Sequence, residues 1–279
     1  MDHAWHAGRF TLDLSVPRVM GIVNLTPDSF SDGGLHATPQ SALAHAQRLV
    51  EEGADLLDVG AESTRPGAAP VSPDEEWARL APLLPELVRW GVPVSVDTRR
   101  PEVMARALDA GVDIINDVQA LSAPGALALL AAHGRAGVCL MHMRGEPATM
   151  QQQVHYAADV VDTVRLELGL RLQAAQEAGI AMSRITLDPG IGFSKSPAHN
   201  LALLGRQAEL LALGRPLLIG WSRKSTLGQL TGRPVDQRLG ASVAAALLAA
   251  QRGAGVLRVH DVAATVHAVR VARATLAAR

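Results

Sequence analysis

The feature that most limits the fold of this chain is a series of short apolar runs spaced along its whole length. They lie at residues 19–23, 56–59, 92–96, 113–115, 137–141, 185–187, 217–219 and 256–259. They read as apolar runs rather than as alternating ones, which is the pattern of strands in a parallel sheet covered on both faces. The stretches between them carry helix signals. Thr38-Pro39 and Ser72-Pro73 each place an N-cap before a proline at the first helical position, and Glu75 is positioned to complete a capping box with Ser72. Gly53, Gly91, Gly111 and Gly179 stand where helices must stop. A faint repeat supports the alternation: residues 53–58, 111–116 and 253–258 each run from a glycine through an apolar pair to a polar residue, a helix stop feeding a strand. Pro82 and Pro85 fall inside one expected helix and should kink it or delay its start.

Strand and helix therefore alternate, and the fold class is α/β. No linker or shift of composition divides the series, so residues 1–279 are expected to form one (β/α)8 TIM barrel with long loops after its first two strands. The competing architecture is an open doubly wound sheet. Its glycine-rich fingerprint is missing, because Gly21 precedes Asn24-Leu-Thr-Pro-Asp-Ser-Phe30 and not G-x-G-x-x-G.

Composition narrows the partners. A formal net charge of -1 supplies no basic field for nucleic acid or an anionic membrane, and aromatic residues make up only 3% of the chain, so stacking platforms for single strands are scarce. The expected ligand is small. The most apolar stretch, residues 241–250, falls far short of the ~20 residues that span a bilayer. The lone Cys139 cannot form an internal disulfide and reads as a buried hydrophobe, and the first ten residues lack the pattern of a signal peptide. A cytoplasmic location is expected.

In a barrel of this kind the site lies at the carboxyl ends of the strands. Polar residues fall there repeatedly: Asn24, Asp97, Asn116, Asp188, Ser222 and His260, with Asp58, His142 and Arg258 close by. Asp97, Asn116, Asp188 and Lys224 together can accept from and donate to a flat heterocycle with amino, ring N–H and carbonyl groups, because a carboxylate takes two parallel N–H bonds from a guanidine-like edge. A 2-amino-4-oxo pyrimidine ring fits that description. Arg258 and His260, two apart on the last strand, point the same way and suit an anion; the alternative for Arg258 is a salt bridge to a strand-end aspartate. The loops at residues 24–34 and 62–67 mix glycine, proline, hydroxyls and charge, and can fold over a substrate. The histidines show no zinc-binding spacing.

These residues also carry a resemblance. Residues 20–34 and 58–67, together with Ser95-Val-Asp-Thr98, Ile115-Asn-Asp117, Met141-His-Met143, Leu187-Asp-Pro-Gly-Ile-Gly-Phe193, Ser222-Arg-Lys-Ser225 and Arg258-Val-His-Asp261, resemble the motifs of the dihydropteroate synthase family of folate synthesis, in order and over nearly the whole chain. Leu25, Ala61, Ile191 and Trp221 depart mildly from that pattern, and the bulky Trp221 ring stands beside the Ser-Arg-Lys turn, where it can alter the pocket rim. The resemblance implies condensation of 6-hydroxymethyl-7,8-dihydropterin diphosphate with 4-aminobenzoate to give 7,8-dihydropteroate and diphosphate. It assigns Asp97, Asn116, Asp188, Phe193 and Lys224 to the pterin, and Asn24, Arg258 and His260 to the diphosphate, with Asn24 also reaching Mg2+. It assigns Phe30, Asp32, Thr64, Arg65, Pro66 and Ser225 to 4-aminobenzoate. Arg258, His260 and Mg2+ are expected to neutralise the charge of the departing diphosphate. A homodimer is implied as well. A pterin-binding module without synthase activity and a non-catalytic paralogue are the competing readings; the presence of both loops and of Asn24, Arg65 and Lys224 speaks against them.

Overall fold

Eight parallel strands close into a barrel in this computed structural model, which describes residues 3–25, 38–63, 70–152 and 154–278. A hairpin of β1 (Ala4–Ala7) and β2 (Phe10–Asp13) precedes the barrel strands β3 (Arg18–Asn24), β4 (Leu56–Gly60), β5 (Val94–Asp97), β6 (Ile114–Asp117), β7 (Gly137–Met141), β8 (Ile185–Asp188), β9 (Leu217–Ile219) and β10 (Ala254–Val259). Their order around the barrel is that of the sequence, and β10 closes on β3. All eight apolar runs are barrel strands. The helices are α1 (Pro39–Glu51), α2 (Pro73–Leu80), α3 (Leu84–Leu87), α4 (Pro101–Asp109), α5 (Ala126–His133), α6 (Val160–Glu177), α7 (Pro197–Gly205), α8 (Ser225–Thr231), α9 (Leu239–Gln251) and α10 (Val262–Ala277).

Because side chains alternate along a strand, each run feeds two cores. Leu57, Val59, Val94, Val96, Ile115, Val138, Leu140, Leu187 and Leu257 face outward and pack with helix residues such as Leu49, Met104 and Val164 in the larger cluster. The intervening residues Met20, Leu56, Ile114, Cys139, Leu218 and Val256 form a smaller cluster inside the barrel, joined by Trp5, Ala7 and Leu14. The amino-terminal hairpin, which the sequence analysis leaves out, thus stoppers one end of the barrel. Trp5 is fully buried and donates its indole N–H to the Arg184 carbonyl at 2.8 Å. Arg9 clamps the hairpin through Asp113 at 2.7 Å.

Two residues further along the same strands, the interior turns polar. Asp58 follows Leu56, Asn116 follows Ile114, and Arg258 follows Val256. With one end filled by apolar side chains, the polar layer lies towards the carboxyl ends of the strands. Among the helix signals, Thr38 forms a full capping box with Ser41, whereas Ser72 accepts from the Glu75 backbone and the Glu75 side chain turns to Arg79 at 2.6 Å instead of back to Ser72. The helix carrying the prolines is broken: α2 ends at Leu80, and α3 starts one turn later with Pro85 in its first turn. Gly53, Gly91, Gly111 and Gly179 all have positive φ, as helix stops require.

Candidate active site

Strand register builds the site. Asn24 pairs with Gly60, Gly60 with Asp97, and Asp97 with Asn116, so four neighbouring strands end in one layer. Gly60 is the gap in that layer: a Cβ placed there would lie 3.5 Å from the Asp97 Cβ and 3.9 Å from Asn24 Oδ1. The missing side chain leaves Asn24 and Asp97 flanking a methyl-sized gap above Gly60.

Beneath this layer Asp58 is fully buried and accepts three hydrogen bonds: from Ser95 Oγ at 2.6 Å, Asn116 Nδ2 at 3.1 Å and Arg258 Nε at 2.6 Å. Arg258 also donates to Asp97 Oδ2 at 2.8 Å. The strand-end salt bridge, left open as the alternative for Arg258, is therefore the contact it makes. Asp58 supplies what the sequence analysis did not assign, the buried anion that holds both Asn116 and Arg258 in place. Its signal was its position two residues after Leu56, on the inward face of β4. Burial pushes the Asp97 carboxyl up to about 7 against the opposing pull of Arg258.

On the opposite wall Asp188 ends β8. Its Oδ1 accepts from the Gly190 N–H at 2.7 Å, and burial raises its pKa while that bond and Lys224 oppose the rise. The turn that follows depends on glycine. Gly190 has φ +68°, and a Cβ there would meet the His142 carbonyl oxygen at 2.0 Å. Gly192 has φ +83° and would meet the Lys224 side chain at 2.9 Å. That turn brings the Phe193 ring under the Lys224 ammonium, 4.1 Å from its centroid. Burial, with Arg258 nearby, lowers Lys224 to about 8.

His260 Nδ1 lies 3.0 Å from Ser222 Oγ, which also accepts from the His260 backbone N–H at 3.2 Å. Burial and then Arg223 and Arg258 lower His260 to about 3, so at neutral pH it is an uncharged imidazole. In the free chain Arg258 is the cation of the pair, and the His260 imidazole offers hydrogen bonds. Ser225 begins α8 directly after Lys224 and is exposed. Phe30, Asp32, Thr64, Arg65 and Pro66 lie outside the described residues. Trp221 is 1% exposed and packs in the larger apolar cluster with strand and helix residues. Cys139 is buried inside the barrel, and burial raises its thiol, so it behaves as a hydrophobe.

The rim thus carries the carboxylates of Asp97 and Asp188, the amides of Asn24 and Asn116, a lysine over an aromatic ring and a bridged arginine, a set suited to a planar, amide-rich heterocycle. The family model described as "Pterin binding enzyme" matches residues 20–260. The dihydropteroate synthase of Neisseria meningitidis serogroup B is 55% identical over 275 residues, which cover 96% of this chain and 96% of that one. The chain belongs to the dihydropteroate synthase family of pterin-binding enzymes. Two solved structures of dihydropteroate synthase from Xanthomonas albilineans share its architecture over 99% of both chains. One, with 4-aminobenzoic acid, has a TM-score of 0.93 at 52% identity, and the other, in complex with 7,8-dihydropteroate, has 0.87 at 48%. Membership of the dihydropteroate synthase family makes the chain an enzyme of folate biosynthesis.

Proposed function

We propose that the chain condenses 6-hydroxymethyl-7,8-dihydropterin diphosphate with 4-aminobenzoate, releasing 7,8-dihydropteroate and diphosphate. The observation that carries this reading is the layer of Asn24, Asp97 and Asn116 set in register around Gly60, faced by Asp188 and Lys224. Asp188 and Asn116 take the amino and ring N–H edge of the pterin, Lys224 donates to its carbonyl and ring nitrogen side, and Phe193 packs on its face. The methylene and diphosphate are placed beside Asn24 and Asp97, where Gly60 has no side chain. Arg258 and the neutral His260 bind the leaving oxygens, one by charge and one by a hydrogen bond. The Asp97 carboxylate stabilises the methylene carbon as it becomes cationic, and the weakly basic arylamine attacks without a general base. Phe30, Asp32, Thr64, Arg65, Pro66 and Ser225 are assigned to 4-aminobenzoate.

Mg2+ fits the residues available. Among the described residues no group of three or more His, Cys, Asp or Glu could hold a metal ion, and the Asn24 amide oxygen is a single hard ligand beside the space given to the diphosphate. That suits an ion that keeps most of its waters and is held chiefly by substrate phosphates. Held there by Asn24 and the substrate phosphates, Mg2+ would offset charge on the departing diphosphate.

The exposed Leu201, Leu230, Val235, Leu239 and Leu248 on and between α7, α8 and α9 support a homodimer. No described helix is long and apolar enough to cross a membrane; a cytoplasmic setting is part of the same proposal, as is the action of residues 1–279 as one domain. The test is turnover by purified protein supplied with dihydropterin diphosphate, 4-aminobenzoate and Mg2+. Equal amounts of dihydropteroate and diphosphate are expected. Tight pterin binding without product would reject the synthase reading and favour a pterin-binding module.

A further inference from the structure

The chain contains two lysines, Lys195 and Lys224, and every other basic side chain of that length is an arginine. Lys224 stands in the site; Lys195 has been given no part. It is 3% exposed and follows the turn that carries Asp188 and Phe193. Its ammonium has three contacts, one for each proton: the His142 carbonyl at 3.2 Å, the Phe193 carbonyl at 3.0 Å and His142 Nδ1 at 2.9 Å. A Cβ on Gly190 would lie 3.3 Å from the same nitrogen. The ammonium therefore sits where the end of β7 meets the turn after β8, touching both.

The surroundings fix how this contact is read. Donation from Lys195 makes Nδ1 of His142 an acceptor, so Nε2 carries the imidazole proton and donates to Glu167 Oε2 at 2.7 Å. Glu167, on α6, is in turn paired with Arg144, whose backbone N–H donates to Ser194 Oγ at 2.9 Å and whose guanidinium lies 4.3 Å from the centre of the Tyr156 ring. Burial lowers Lys195 to about 7, with Asp188 and Glu167 opposing the fall and Lys224 and Arg144 adding to it, while burial and Lys195 keep His142 neutral, so that Glu167 is the anion set between Lys195 and Arg144. An arginine fork could not serve here, because its donors are spread over a plane, whereas these three acceptors converge on one point.

We infer that Lys195 is a positioning residue for the pterin pocket, pinning the turn from Gly190 to Phe193 against His142 so that Asp188 and Phe193 are presented to the heterocycle. This rests on the proposed pterin site. One further bond acts on the same turn: Gly192 donates to Asn200 Oδ1 at 2.9 Å, and Asn200 is itself held by donating to Thr226 Oγ1 at 3.0 Å, two residues after Lys224. Lys195 supplies the side of this clamp that Asn200 cannot reach.

The test is steady-state kinetics of the wild type, Lys195→Met and Lys195→Arg, with folding checked by circular dichroism and active sites counted by product burst. Lys195→Met should raise KM for dihydropterin diphosphate roughly tenfold or more, the scale of lost charge-assisted hydrogen bonds. Its kcat per active site and its KM for 4-aminobenzoate at saturating pterin should stay within about threefold of wild type. Lys195→Arg keeps the charge but not the geometry, and should also raise the pterin KM. Unchanged pterin KM with fewer active sites would overturn the proposal, and so would failure of both variants to fold, because Lys195 would then serve only the scaffold. A wild type that forms no product would instead reject the synthase reading.

Discussion

Arg258 on β10 and Asp97 on β5 meet at 2.8 Å inside the barrel, 161 residues apart in sequence. Arg258 reaches Asp97 over the buried Asp58, so the two carboxylates share one guanidinium. That sharing ties the charge needed for chemistry to the charge that holds the barrel's interior together.

Asp58→Asn should be costly for this reason. The variant places an N–H2 group or a weaker acceptor against three donors and leaves Arg258 with half its compensation. Breaking a buried pair of this kind costs about 3–5 kcal/mol. Urea denaturation should show a loss of that order, and a change below about 1 kcal/mol would mean that Asp58 is not the anion that anchors Arg258.

The ionisation of Asp97 gives a pH dependence. Its pKa rises from 3.8 to about 7 in the folded chain, so the active carboxylate is lost as pH falls through about 7. Activity, measured as kcat/KM, should therefore fall on the acid side of neutrality. The linkage to stability has the opposite sense. Between 3.8 and about 7 the unfolded chain has released a proton that the folded chain retains, so this group's stabilisation is lost as pH rises across that window. Asp97→Asn should remove that slope from the pH profile of unfolding. A profile as steep as that of the wild type would show that the carboxyl titrates at its ordinary value.

Gly190→Ala tests the turn. The added methyl would meet the His142 carbonyl at 2.0 Å at a φ of +68°, so both the contact and the backbone oppose it. A thermal midpoint several degrees lower, with pterin affinity reduced, is expected; wild-type values for both would show that the turn has room to spare.

The sequence made the barrel legible because eight apolar runs bounded by helix stops leave few other arrangements. Its register was legible only in outline. The inward position of Asp58 follows from period two counted from Leu56, a spacing that a run apolar on both faces conceals. The hairpin was missed because Trp5, Ala7 and Leu14 form no recognisable strand pattern; they are explained by the apolar mouth they fill. The rim residues were legible as strand ends, but the neutral state of His260 comes from burial beside Arg223 and Arg258, which are brought together by the fold. Lys195 was passed over because one lysine after a glycine-rich turn reads as surface charge until its three acceptors are seen.

The central claim is that the polar rim of the barrel is a pterin site read through Asp188. Asp188→Asn keeps the side chain's size but replaces one acceptor oxygen with a donor that faces the pterin's own N–H groups. Titration calorimetry of the dihydropterin diphosphate into wild type and variant measures this directly. A loss of roughly 2–4 kcal/mol in binding free energy is the predicted result. Unchanged affinity in a folded variant would contradict the account and remove Asp188 from the site.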